Sequence, residues 1–207
     1  MHVRRVWVGV LLVLMVGACG GGEMTLTEYV DRLNGIVERA RQQYEILISS
    51  EQGEVLVAEG AQLADFTPQD LQAAFERLRK IEAEVEEAVD AIDPPEQVAE
   101  LHNYWFDFDR NFIPAQEVMA ARAGTAADWD ELSESPEMAA YRAALAEDKR
   151  WCTDFQAKLD ATEERGIFAE TPWIPGELKE VVQLVLGCQG YPAHPEDVYR
   201  PPPTSTP

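Results

Sequence analysis

Apolar residues recur at steps of three and four along most of this chain, the spacing of a single helical face. Leu26, Tyr29, Val30, Leu33, Ile36, Val37, Ala40, Tyr44, Leu47 and Ile48 form the first stripe. Thr25-Leu26-Thr27-Glu28 stands at its head and fits a capping box, in which a hydroxyl and a carboxylate three residues later each satisfy a free amide. Leu71, Ala74, Phe75, Leu78, Ile81, Val85, Ala88, Val89 and Ile92 form the second. It opens at Thr67-Pro68-Gln69-Asp70, where threonine caps and proline takes the first helical position, and it stops at Asp93-Pro94-Pro95. Between the two, Val55, Leu56, Val57, Ala58, Ala61, Leu63 and Ala64 either continue the first helix after a break at Gly53 or form a packed loop; the spacing favours helix.

A third helix carries Val98, Leu101, His102, Trp105, Phe108, Phe112 and Ile113, then meets Pro114, where a kink or a break into two shorter helices is expected. The stretch from Gly124 to Ser135 is a connection, with a short helical turn expected from Trp129 to Leu132. Ser135-Pro136-Glu137 opens a fourth helix whose inner face holds Met138, Tyr141, Leu145, Cys152, Phe155, Leu159 and Thr162, and Gly166 is placed to end it. Glu177 to Leu186 reads as a short fifth helix with Cys188 at its end. These elements predict an all-α fold, an up-and-down bundle of four long helices plus a short C-terminal helix. No strand hairpin signal, fixed-period repeat or second composition block appears, so residues 25–190 form one domain. Residues 191–207, with Pro192, Pro195, Pro201, Pro202, Pro203 and Pro207, are expected to be an extended or disordered tail.

Ahead of the first stripe, Arg4 and Arg5 precede an uncharged apolar run from Val6 to Val16, then Gly17, Ala18, Cys19 and Gly20-Gly21-Gly22. A basic segment, an apolar segment and small residues before a cut are the parts of an export signal. The run is too short to span a bilayer comfortably, which takes ~20 apolar residues. Val16-Gly17-Ala18-Cys19 resembles the bacterial lipoprotein signal, with an ordinary secreted protein as the alternative. The resemblance implies removal of residues 1–18, lipidation of Cys19, a short tether over 19–24, and attachment to the membrane through the lipid on the periplasmic or outer face. Arg4-Arg5 also fits a twin-arginine signal, but short basic segments commonly hold two arginines, which favours the general secretory route.

Charge narrows the partners. Seventeen basic against thirty-eight acidic residues give a formal charge of -21. No basic stripe is available for phosphate, which excludes nucleic acid as a partner. Anionic headgroups would be repelled, so membrane attachment falls to the lipid. With Cys19 implied as the lipid carrier, Cys152 and Cys188 remain for an oxidising compartment and can pair in only one way, as a disulfide stapling the fifth helix to the fourth. Their neighbours Trp151, Thr153, Gly187 and Gln189 offer no histidine or cation that would activate a thiol.

Cofactor motifs are absent. The residue three before His102 is Ala99, so no Glu-x-x-His pair exists for a di-iron centre. Neither C-x-x-C-H nor H-E-x-x-H nor a phosphate loop occurs, and no cofactor or metal is expected. Asp107 and Asp109 project about 200° apart on a helix and cannot chelate one ion together. Asp128-Trp129-Asp130-Glu131 reads as a solvated acidic loop, and His194 as a solvated side chain between prolines. His102 falls near Val98, Trp105 and Asp109 on one helical face. The His102 and Asp109 pair is either a hydrogen-bonded core feature, the favoured reading, or the lining of a pocket.

Tyr104, Trp105, Phe106, Phe108 and Phe112 crowd one short stretch, with Tyr104 and Phe106 off the main face. Core packing against the segment from Gly53 to Phe66 is one explanation; a patch for a protein partner or an apolar ligand groove is the other. The expectation is a non-catalytic, membrane-anchored interaction or accessory module with His102, Tyr104, Trp105, Phe106 and Asp109 as candidate contact residues. The alternative is a lipoprotein that binds a small ligand or cation in a pocket near His102 and Asp109.

Overall fold

The structure is a computed structural model and describes residues 24–106, 109–167 and 191–202; of residues 105, 106, 109–111 and 163 it describes the backbone alone. The described residues form α-helices and 3-10 helices, with no strand among them. Helix α1 spans Leu26–Ile48, and Thr25 caps it as the spacing predicts: its hydroxyl accepts from the Glu28 amide while Glu28 accepts from the Thr25 amide at 2.9 Å. Helix α2, Pro68–Asp90, opens with the same reciprocal device between Thr67 and Asp70. Between them the chain does not continue the helix. It forms two 3-10 helices, Glu54–Val57 and Gly60–Asp65, separated by extended backbone at Ala58 and Glu59. Gly53 makes this turn feasible, because a Cβ there would lie 1.8 Å from the Leu47 carbonyl oxygen and force the backbone apart.

The third helical region is described as α3, Ala99–Phe106, and α4, Asp109–Ala123, after a 3-10 helix at Glu96–Val98. Pro114 sits inside α4, and the helix is not divided there, contrary to the second of the two expectations for it. Proline near the start of a helix removes one internal bond, here to the Arg110 carbonyl, and its neighbours hold the rest of the ladder. The short helix α5, Trp129–Ser133, lies where the sequence places it, capped by Asp128. Helix α6 is the longest, Pro136–Glu164, with Ser135 accepting from the Met138 amide at its start and Gly166 at φ +74 just past its end.

Two apolar clusters fix the arrangement. Tyr29, Val30, Leu33 and Ile36 from the first half of α1 meet Val89 and Ile92 at the end of α2, Leu101 of α3, and Phe155 and Leu159 late in α6. Leu71, Ala74 and Phe75 early in α2 meet Met119, Ala120 and Ala123 late in α4, Trp129 and Leu132 of α5, and Met138, Tyr141 and Leu145 early in α6. Beginnings therefore pack on ends, and successive long helices alternate in direction around a shared core.

The C-terminal segment departs from expectation. Prolines do keep it out of long helix, yet residues 191–202 are not a loose tail. A 3-10 helix at Pro195–Asp197 packs against α6, and Tyr199 is 5% exposed within the cluster around Phe75 and Tyr141. Lys149 donates to the Pro192 carbonyl at 3.0 Å, Arg142 to the Val198 carbonyl at 2.9 Å, and the Tyr199 hydroxyl to the Leu56 carbonyl at 3.2 Å. The folded body therefore extends past the expected boundary at 190. Cys152 is fully buried on α6, while Cys188, the expected helix from Glu177 to Leu186, residues 1–18 and Cys19 lie outside the described residues, so no disulfide is described.

Candidate functional site

Helical spacing brings three polar residues into positions where apolar ones would be expected. Glu82 sits between Leu78 and Val85 on α2, Gln116 between Ile113 and Met119 on α4, and Asp148 between Leu145 and Cys152 on α6. Gln116 is 2% exposed and Asp148 5% exposed. Sequence position sets Glu82 and Asp148 between the two apolar clusters, and both act electrostatically on the buried Tyr141 hydroxyl. The result is a polar belt across the bundle.

Each member has an identifiable surrounding. The Gln116 amide donates from Nε2 to Glu82 Oε1 at 3.4 Å, joining α4 to α2. Arg79 spans the outer edge: it forks onto both Glu86 oxygens at 3.0 and 3.3 Å, reaches Glu117 at 3.3 Å and stands 3.5 Å from Glu82 Oε2. Burial holds the Glu82 carboxyl above the usual carboxylate range, outweighing the lowering by the Gln116 amide and Arg79, with Glu86 adding to the rise. Tyr191 donates its hydroxyl to Asp148 Oδ2 in a short hydrogen bond, so the belt is also where the C-terminal segment is fastened. Burial, with Glu82 and Asp148 nearby, pushes the Tyr141 hydroxyl well above the usual phenol range, which keeps it neutral.

The residues singled out from sequence fall elsewhere. His102 is buried, and its Nδ1 lies 3.1 Å from the Tyr29 hydroxyl, with the two rings edge to face. Burial lowers its pKa against a smaller opposing pull from Asp90, which leaves the ring neutral. His102 and Tyr29 thus make a core hydrogen bond across two helices; the pairing expected between His102 and Asp109 involves a side chain that, like those of Trp105 and Phe106, lies outside the described residues. Tyr104 is not an exposed contact. It stacks on Trp151 at 5.3 Å between centroids and on Phe155 at 6.3 Å, with Lys158 Nζ 4.7 Å above its ring. Its partner is therefore α6, whereas the segment from Gly53 to Phe66 packs on α1 and α2 and accepts the Trp129 indole at the Phe66 carbonyl, 2.8 Å away.

One grouping could hold a cation. The ligand atoms of His194, Glu196 and Asp197 lie within 4.8 Å of one another at the surface. His194 Nδ1 is 3.2 Å from Glu196, and Arg200 occupies Asp197 at 2.7 Å, so one carboxylate already faces a cation. His194 is as solvated as its setting between prolines predicts.

No described helix is long and apolar enough to cross a membrane. The chain has no significant match to a protein-family model, to a curated protein or to a solved structure.

Proposed function

We propose that this chain is a lipid-anchored, extracytoplasmic helical module acting as a non-catalytic interaction or accessory protein. The observation that carries the reading is the N-terminal run, with Arg4-Arg5, the apolar stretch from Val6 and the Val16-Gly17-Ala18-Cys19 junction. The first helix cap is Thr25, only a few residues beyond Cys19, so a lipid on that cysteine holds the body close against the bilayer. A disulfide between Cys152, which is buried, and Cys188, which lies outside the described residues, belongs to the same reading, since an oxidising compartment permits it.

Asp148 of the polar belt, and Arg142 and Lys149 on the same helix, all engage the C-terminal segment, which supports a structural use of these charges. The surface offers a different contact face from the one around Tyr104. Ile46 is 72% exposed and Val57 53% exposed, on two elements that pack together at the end of α1. Photocrosslinking residues placed at Ile46 and at Val57 in whole cells test the interaction reading. One discrete adduct from both positions is the expected result. A protein recovered free of adducts from both positions overturns it and moves the weight to the small-ligand alternative.

A further inference from the structure

Two oxygen atoms in the polar belt are sealed from solvent and accept no hydrogen bond: Glu82 Oε2 and Gln116 Oε1. Unsatisfied buried acceptors are uncommon in native proteins and costly to keep. Here they belong to two groups already joined by one hydrogen bond, Gln116 Nε2 donating to the other Glu82 oxygen at 3.4 Å. A carboxylic acid and a primary amide are complementary, each with one donor and one carbonyl acceptor on the same edge. We propose that Glu82 binds a proton and closes an acid–amide ring with Gln116: Nε2 donates to Oε1, and the proton on Oε2 is donated to Gln116 Oε1. The single added proton satisfies both orphaned oxygens without turning the amide over.

The groups around Glu82 agree with a neutral carboxyl. Tyr44 from α1 and Tyr141 from α6 lie near it, and burial first and the Glu82 charge second raise both phenols, so neither supplies a positive charge to hold Glu82 ionised. Glu86 on α2 and Glu117 on α4 share Arg79, the cation that contacts Glu82 among the described residues, and Arg79 places its closest contacts on Glu86 and its longest, 3.5 Å, on Glu82. Among these contacting groups one positive charge serves three carboxyls, so a proton on Glu82 relieves a local excess of negative charge. Burial favours the same form. The ring is then a proton-dependent clasp between α2 and α4; losing the proton leaves Gln116 Oε1 without a donor and Glu82 Oε2 with the Arg79 contact at 3.5 Å alone.

A carboxyl whose folded pKa is raised stabilises the fold fully below its unfolded pKa, and that contribution is lost as pH rises through the folded value. Side-chain carboxyl carbons and Gln side-chain amides of the full chain, followed by NMR across the acid-to-neutral range, read the site directly. The expected result is a Glu82 signal that titrates above the ordinary carboxylate range. The Gln116 amide signals should move with the same midpoint and become independent of pH in Glu82→Gln. Sequential assignment in the wild-type chain identifies both the Glu82 and the Gln116 signals, so a variant that folds poorly does not blunt the test. A Glu82 signal that titrates at or below the ordinary value, or Gln116 signals that ignore its titration, overturns the proposal.

Discussion

Tyr199→Ala is expected to destabilise the protein by about 3–5 kcal/mol, the range for deleting a buried aromatic ring. The residue belongs to a segment whose six prolines predict a free tail, yet its ring lies within 6.1–6.3 Å of those of Trp129, Phe75 and Tyr141. Its backbone adopts φ +52, a left-handed conformation that costs a non-glycine residue roughly 1–2 kcal/mol. The cost is sustained because the aromatic slot and the hydrogen bond to the Leu56 carbonyl hold the side chain. Urea unfolding measures the loss, and Tyr199→Phe, which keeps the ring and removes the hydrogen bond, should lose only about 1 kcal/mol. A loss below about 1 kcal/mol for the alanine variant would mean that the segment is a peripheral tail after all.

Phe155→Ala should fall in the same class, about 3–5 kcal/mol, with a fall in Tm of roughly 10 °C. The side chain is 1% exposed at the centre of the cluster that joins α1, α2, α3 and α6. It also stacks on Trp151 at 5.4 Å between centroids, and Trp151 stacks on Tyr104 in turn, so removing the ring takes support from α3 as well as from the core. Thermal unfolding followed by circular dichroism checks it. A change of under 2 °C would show that α3 and α6 are held together by something other than this aromatic column.

What was legible in the sequence was what is decided locally. The boxes at Thr25 and Glu28 and at Thr67 and Asp70 each satisfy amides within one turn, and both form as written. The short helix at Trp129 and the long one from Pro136 follow their caps in the same way. Residues 53–65 were harder, because an apolar run of that length fits a helix as well as a packed loop; α1 ends at Ile48 with Ser49 as its cap, and the turn that follows brings Gly53 too close to the Leu47 carbonyl for any side chain. The prolines of the last segment correctly exclude long helix, but irregular backbone can still be packed, and only the presence of tyrosines at 191 and 199 hinted at burial.

The candidate site was half written in the stripes. Glu82 falls in the series 78, 82, 85, 89, and Asp148 in the series 145, 148, 152, 155, 159, both on the inner face by spacing alone. Spacing marks them as inward but names no partner, since Tyr191 lies 43 residues from Asp148 and Gln116 lies 34 from Glu82. His102 shows the same limit. Its described partner, Tyr29, lies 73 residues away, a contact that helical spacing does not reveal. Tyr104 lies off the main stripe of its own helix and still packs, because α6 covers that flank.

The reading as an anchored, exported module stands or falls on the chemistry of residue 19. The protein should be extracted from membranes of its source cells, and the mass of its N-terminal peptide measured. The expected peptide begins at Cys19 and carries a lipid on that residue. A peptide that retains the residues before Cys19, or one that begins there without a lipid, would contradict the account.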